Sequence, residues 1–480
     1  MDSLSPIDKS KPLCVDLDGS LLLTDMLWET ALLRLLNEPF DLLRGPALLM
    51  KGRAVMKRWL ADGAAFDPAL LPYDQRLLDY LRVERDRGRS LVLVTASDHS
   101  IATRIAEHLG LFDAVIASDG DRNLKGSVKA EILCARYGAK GFSYAGNGRS
   151  DLAVWRQART AVTVNAPRGV RGKASALAPI EAEFLPLRSQ LAALIEAMRP
   201  HQWSKNLLIF VPALGAHLLG DLHVLSLALL TFVAFGLASS GSYLINDLLD
   251  LENDRKHPRK RNRPFASGRL SLPVGLFGPA YVVLGLAIAA AISWPTALVI
   301  GTYIVLTTAY SVALKRQPLI DVFTLAALYS LRIFAGGVAT GIAVSNWLLT
   351  FSSFLFLSLA LVKRCAELRA LPPDQLPSRR GYGAEDHLIL TVMGVASSFV
   401  AGLVLAMYIS TDVAQAAYRS PQVLWGLIPL CTFWLCRLWL STGRGFMHDD
   451  PIVYAARDWV SWLVVACSVV ILALAIKAPI

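Results

Sequence analysis

The chain has 480 residues, a formal net charge of +10 and 54% apolar side chains. That length allows two or three domains; the excess charge sits in loops between apolar runs, with no basic stripe of interleaved aromatics, so nucleic acid is not the expected partner. The six cysteines (Cys14, Cys134, Cys365, Cys431, Cys436 and Cys467) show no C-x-x-C spacing, which argues against a zinc site or a disulfide scaffold.

The N-terminal MDSLSPIDKSKP has no apolar core and does not read as a signal peptide. Up to about residue 195 the composition is that of an ordinary soluble α/β mixture. Expected strands are Pro12–Asp16, Ser90–Thr95, Ala114–Ala117, Phe142–Ala145 and Ala161–Val164, alternating with helical stretches, as in a parallel sheet covered by helices. Between the first two lies a helical insert, about residues 24–87, with amphipathic stretches such as WETALLRLL. The soluble domain is expected over 1–165, and residues 166–198 read as a linker ending in an amphipathic helix at a membrane surface.

From residue 199 onward the chain becomes a membrane domain. Apolar runs fall near 204–220, 223–247, 272–293, 295–314, 318–341, 345–362, 387–410, 422–440 and 458–478. Each is near the roughly 20 residues that cross the hydrocarbon, so nine transmembrane helices are expected. With the N-terminus in the cytoplasm, the cytoplasmic loops carry seventeen Lys and Arg and the opposite loops only Arg419. That positive-inside bias places the soluble domain in the cytoplasm.

The second run ends in SYLINDLLDLENDRKHPRKRNRPFASG. Asp247, Asp250 and Asp254 are spaced i, i+3, i+7 and share one helical face. Three clustered carboxylates repel one another beside a bilayer unless a cation joins them. Mg²⁺ suits them, because it takes a few carboxylates and fills its octahedron with waters and phosphate oxygens. His257, Arg259, Lys260, Arg261 and Arg263 follow at once, with donors for further phosphate oxygens.

Asn246-Asp247-x-x-Asp250-x-x-x-Asp254, with the RPxASG run from Arg263 to Gly268, resembles the first signature of the UbiA superfamily of intramembrane prenyltransferases. The resemblance implies an all-α membrane domain around a cavity open to lipid. In it Asp247, Asp250 and Asp254 would hold Mg²⁺ against a diphosphate-bearing donor contacted by Asn246, Arg259, Lys260 and Arg263. The family's second acidic motif is partial: Tyr310, Lys315 and Arg316 lead to Asp321 as a metal ligand, but position 325 is Leu. RPHQWSKN from Arg199, LRIFAGG from Leu331, VKRCAEL from Val362 and HDDPIVYAARD from His448 are similar to the decaprenyl-phosphate phosphoribosyltransferase branch. That branch implies phosphoribosyl diphosphate as donor and a polyprenyl phosphate as acceptor, with Lys205, Arg332, Lys363 and Arg364 as candidates for the extra phosphate. Prenyl transfer to an aromatic acceptor such as 4-hydroxybenzoate is the alternative. A transporter fits less well, for lack of repeated broken helices at the midplane.

In the soluble part, Cys14-Val15-Asp16-Leu17-Asp18-Gly19-Ser20 resembles the DxDGT motif of the haloacid dehalogenase (HAD) superfamily, with Ser for Thr. The resemblance implies a Rossmann-like α/β domain with the insert as a helical cap. Asp16 would be the phosphoryl nucleophile and Asp18 the acid/base. Thr95 would bind phosphate, and Lys129 would be the family lysine with Lys125 as rival. Gly146-Asn147-Gly148-Arg149-Ser150-Asp151 is similar to the metal motif GDGxxD, with Asn147 in place of the first Asp. Asp16, Asp18, Asn147 and Asp151 are the implied Mg²⁺ ligands. The expectation is a bacterial inner-membrane enzyme acting on a polyprenyl lipid and a soluble diphosphate, its soluble domain a phosphatase or a regulatory module; the sequence leaves a homo-oligomer open.

Overall fold

A computed structural model describes residues 11–119, 122–187, 189–369, 381–383, 385–447 and 451–477. It divides into two compact units, Met1–Arg199 with Tyr243–Ala280, and Pro200–Ser242 with Tyr281–Ile480. His448, Asp449 and Asp450 lie outside the described residues.

The first unit is built on a six-stranded parallel sheet. Its strands are β1 (Leu13–Val15), β2 (Leu91–Asp98), β3 (Ala114–Ser118), β4 (Ser143–Gly146), β5 (Ala161–Val164) and β6 (Ile180–Phe184), in the order β3-β2-β1-β4-β5-β6. β1 is central and buried on both faces, which is why Leu13-Cys14-Val15 reads as an unbroken apolar run. Leu13 pairs with Leu91 on one side and Ser143 on the other, so the ends of β2 and β4 flank Asp16. The helices of this part are α1 (Met26–Asn37), α2 (Gly45–Lys51), α3 (Arg53–Ala61), α4 (Gln75–Asp86), α5 (His99–Leu109), α6 (Ser127–Tyr137), α7 (Leu152–Gln157), α8 (Arg168–Leu177) and α9 (Gln190–Met198). Asp25, Asp74 and Asp98 cap α1, α4 and α5 with their side chains, satisfying N–H groups that a helix start leaves open.

The segment 166–198, expected as a linker, supplies α8, β6 and α9, so the sheet takes its sixth strand from it. β6 is tied in by a buried cluster in which Glu181 accepts from Arg89, from the Thr160 hydroxyl and from Tyr80 Oη at 2.8 Å.

Beyond α9 the helices are α10 (Val211–Gly215), α11 (Leu222–Leu249), α12 (Leu251–Lys256), α13 (Leu272–Gly275), α14 (Gly278–Ile292), α15 (Trp294–Val312), α16 (Ile320–Thr340), α17 (Asn346–Arg369), α18 (Asp386–Ile409), α19 (Asp412–Ala417), α20 (Leu427–Gly443), α21 (Pro451–Arg457) and α22 (Trp459–Lys477). Among the described residues, eight helices are long and apolar enough to cross a membrane. The ninth expected span, 204–220, is not one of them. It forms a 3₁₀ helix over Pro200–Phe210 followed by the short α10, with Pro212 removing a backbone donor. This segment packs tightly within the second unit: a Cβ on Gly336 of α16 would stand 2.0 Å from the Ile209 carbonyl oxygen. Such small-residue contacts let helices in lipid approach closely. Gly394 of α18 receives the Trp439 ring in the same way, and the Trp439 indole donates to Ser358 and Ser398 at 3.0 and 3.1 Å.

Candidate active sites

The soluble site forms where three strand ends converge, the place where open α/β sheets bind ligands. β1 ends at Val15, so Asp16 emerges at the carboxyl edge between Asn147 after β4 and the Thr95–Asp98 end of β2. Gly19, at φ 74°, turns the chain back, and the space beside it holds Asn147: a Cβ on Gly19 would lie 2.0 Å from Asn147 Nδ2. Asp18 Oδ2 accepts from the Ser97 hydroxyl at 2.6 Å and the Thr95 hydroxyl at 3.4 Å. Its Oδ1 accepts the Met26 N–H at 2.8 Å, which ties Asp18 to the start of α1.

Lys129, in the first turn of α6, donates to Asp16 Oδ1 at 2.7 Å and to Tyr144 Oη at 2.8 Å. Tyr144 donates onward to Asp151 Oδ1 at 2.9 Å, and Asp151 Oδ2 accepts the N–H groups of Asn147 and Gly148. Burial raises the Asp16 carboxyl to about 7, with the Lys129 ammonium pulling against it and Asp151 and Asp18 adding to the rise. A titratable carboxyl perturbed by burial beside a fixed ammonium in a cavity is a common mark of a functional site. Lys125 stays exposed at the rim.

Asp16, Asp18, Lys57, Lys125, Lys129 and Asn147 line one cavity of about 460 Å³. Asp16, Asp18 and Asn147 all line the cavity, and carboxylate and amide oxygens are hard ligands of the kind Mg²⁺ takes, so the residue types present fit that ion. Asp151 stands behind them, its two oxygens shared between Tyr144 and the Asn147-Gly148 backbone.

The acidic segment belongs to the same unit. α11 ends at Leu249 and α12 begins at Leu251, yet Asp250 N–H and Asp254 N–H still reach back four residues at 2.9 and 2.8 Å. Asp247 Oδ1 accepts from Arg199 at 2.5 Å and Arg263 at 3.1 Å, and Arg263 also donates to Asp254 at 2.6 Å. The two buried acids are thus neutralised by arginines, and among the described residues no group of three or more acidic, His or Cys side chains is gathered for a metal. Asp247 Oδ2 remains buried without a hydrogen-bond partner, an oxygen lone pair that fits a hard cation. Arg259 and Lys260 are exposed in the following loop, and Asn246 and Asp250 are half-buried.

In the second unit Asp321 and Arg364 form a buried ion pair at 2.6 Å. Asp321 Oδ1 also accepts Tyr382 Oη and its own neighbour's N–H, from Val322, at 2.7 Å. Arg364 further pairs with Glu367. The expected metal ligand and one expected phosphate ligand are therefore each other's partner. Arg332 is different. Buried in α16, it donates to Asn206 Oδ1 at 3.0 Å and Tyr303 Oη at 3.2 Å, within 4.9 Å of the Phe235 ring and 5.8 Å of the Tyr329 ring. All its hydrogen-bond partners among the described residues are neutral. Lys205 lies 5.4 Å from the Tyr329 ring, while Tyr310, Lys315 and Lys363 are half-buried.

Ser97, Tyr144, Lys57 and Tyr382 were not anticipated. Ser97 carried a signal: two residues past Thr95 on one strand, it shares that residue's face. Lys57 donates to the Ala96 carbonyl at 2.7 Å from the cap, and nothing in its own helix announces this.

Fold and sites together define a membrane-embedded enzyme with a soluble α/β domain at its N-terminal end. Residues 208–450, half of the chain, match the UbiA prenyltransferase family, and the chain belongs to that family. Residues 13–156 match the haloacid dehalogenase-like hydrolases. The chain is 38% identical over 470 residues to the uncharacterized protein y4nM of Sinorhizobium fredii, covering 96% of this chain and 90% of that one. It is 36% identical over 271 residues to the nodulation protein NoeC of Azorhizobium caulinodans, covering 55% of this chain and 86% of the relative. To the decaprenyl-phosphate phosphoribosyltransferase of Mycobacterium tuberculosis it is 40% identical over 190 residues, 38% of this chain and 62% of that protein.

Proposed function

We propose that the chain transfers a phosphoribosyl group from phosphoribosyl diphosphate to a polyprenyl phosphate, and that its soluble domain then removes the ribose 5-phosphate. The observation that carries this is a fusion: a membrane domain with a 190-residue stretch 40% identical to a decaprenyl-phosphate phosphoribosyltransferase is joined to a site with Lys129 2.7 Å from Asp16. The first reaction would leave a phosphomonoester, and the second site is suited to consume one.

In the transfer, the anomeric C–O bond to diphosphate breaks as an acceptor phosphate oxygen bonds to that carbon. Asp247, Asp250 and Asp254, and in the soluble domain Asp16, Asp18 and Asn147, would hold Mg²⁺, which would neutralise phosphate charge at each site. Arg259, Lys260 and Arg263 bind the donor diphosphate. In the second unit Arg332, a buried guanidinium whose hydrogen-bond partners among the described residues are all neutral, favours an anionic group. In the hydrolysis, Asp16 attacks phosphorus and the bond to the ribose oxygen breaks. Asp18 donates the proton to that oxygen, and water then cleaves the aspartyl-phosphate to inorganic phosphate. The loop bias of Lys and Arg supports a plasma-membrane protein with both sites on the cytoplasmic side. The 3₁₀ segment Pro200–Phe210 with α10 serves as the ninth crossing. At roughly 2 Å and 1.5 Å of rise per residue its sixteen residues extend about 30 Å, the thickness of the hydrocarbon core.

The test is incubation of purified protein with Mg²⁺, labelled phosphoribosyl diphosphate and a polyprenyl phosphate. Label in the lipid phase is expected. Product from geranyl diphosphate and 4-hydroxybenzoate, with no label from the phosphoribosyl donor, would establish aromatic prenyl transfer instead.

A further inference from the structure

The soluble site has a second opening. Besides the cavity beneath the cap, a second cavity of about 370 Å³ is also lined by Asp18 and Asn147. Its volume lies in the range of roughly 300–1,000 Å³ typical of small-ligand sites. Its lining includes Leu23, Trp28 and Leu187 together with Arg269, Ser271 and Leu272 from the segment that follows the acidic one.

That segment is fixed to the soluble domain by contacts of three kinds. Arg255 makes a two-pronged, nearly buried ion pair with Glu29 of α1 at 2.6 and 3.0 Å. Gly268, at φ 72°, lies so close to Leu23 that a Cβ would stand 2.6 Å from Leu23 Cβ. Gln190 bridges the loop backbone, donating to the Arg269 carbonyl at 3.0 Å and accepting the Ser271 N–H at 3.2 Å. The wall is therefore part of the cavity rather than a strand of chain drifting past it.

We infer that this cavity is the port by which a phosphorylated sugar carried on a lipid reaches the soluble site, with Trp28, Leu187 and Leu272 taking the apolar stem and Ser271 and Asn147 the polar head, while Arg269, paired with Glu196 at 2.7 Å, holds the wall in place. The inference rests on the phosphatase reading above. A lipid-borne head group arrives with an apolar tail attached, and this cavity mixes apolar and polar walls in one passage. The cavity beneath the cap carries Lys57, Lys125 and Lys129 and suits a small free phosphate ester or the released phosphate ion.

The test uses full-length protein in nanodiscs with two substrates, the 5-phosphorylated ribosyl lipid and soluble p-nitrophenyl phosphate. Ser271→Trp fills the port, and Leu187→Trp, at another lining position, serves should the first variant not fold. The ratio of kcat/KM for the lipid to kcat/KM for the soluble ester should fall at least tenfold in either. A ratio within twofold of wild type in the variants overturns the port while leaving the phosphatase reading intact. Wild-type protein that cleaves the soluble ester and not the lipid overturns that reading, and the port with it.

Discussion

Removing either partner of the Glu29–Arg255 pair should loosen the first unit more than any surface change. Their side chains are 4% and 8% exposed, their two contacts are 2.6 and 3.0 Å, and the Thr24 hydroxyl donates to Glu29 Oε1 at 2.7 Å. Breaking a buried pair by deleting one member costs about 3–5 kcal/mol, because the other charge is left without compensation. At roughly 2–4 °C per kcal/mol for a unit of this size, Glu29→Met or Arg255→Met should lower Tm by about 6–20 °C. The double variant replaces both charges with apolar groups and should recover to within roughly 1–2 kcal/mol of wild type. Intrinsic fluorescence during heating reports this directly, since Trp28 precedes Glu29 on α1. Single variants within about 1 kcal/mol of wild type would refute the buried-pair reasoning, as would a double variant no more stable than either single.

Alanine at Asp247, Asp250 or Asp254 should each abolish lipid labelling, a loss of at least about a hundredfold, with chelation by EDTA giving the same result; near-normal turnover in all three would remove the acidic segment from the reaction. Glu181 gives a pH signature. Burial pushes its carboxyl up, but Arg89, Thr160 and Tyr80 outweigh this and hold it down at about 2, against an ordinary 4.5. A carboxylate lowered on folding contributes stability above pH 4.5 that is lost as pH falls toward 2. Acid unfolding of the soluble domain, followed by circular dichroism, should therefore steepen in that window and flatten in Glu181→Gln.

The parts of this account legible in the sequence were those written in local pattern. An apolar strand ending in Asp16-Leu17-Asp18-Gly19 announces a site at a sheet edge, and the spacing of Asp247, Asp250 and Asp254 announces one helical face. Lys129 and Lys125 could not be separated until the helix start at Ser127 put one inside and the other at the rim. β6 was hidden because Glu181 and Glu183 make IEAEF look like a loop, whereas Glu181 is neutralised by Arg89, 92 positions away. Long-range pairing also hid the partnership of Asp321 with Arg364: each residue alone reads as a ligand for something absent, and together they form a buried ion pair. The 204–220 run reads as one long α-helix, but Pro212 and the close approach of Gly336 to Ile209 go with a 3₁₀ segment followed by the short α10.

On the proposed function, one chain performs transfer and then dephosphorylation. Asp16→Asn removes the carboxylate that Lys129 holds at 2.7 Å and touches no residue around Asp247. Wild-type and Asp16→Asn protein, each given phosphoribosyl diphosphate, a polyprenyl phosphate and Mg²⁺, should be compared by mass spectrometry of the lipid product. Both should release diphosphate at the same rate, with the variant accumulating the 5-phosphorylated ribosyl lipid while wild type converts it to the dephosphorylated form. Identical product mixtures from the two proteins at long times would contradict the account.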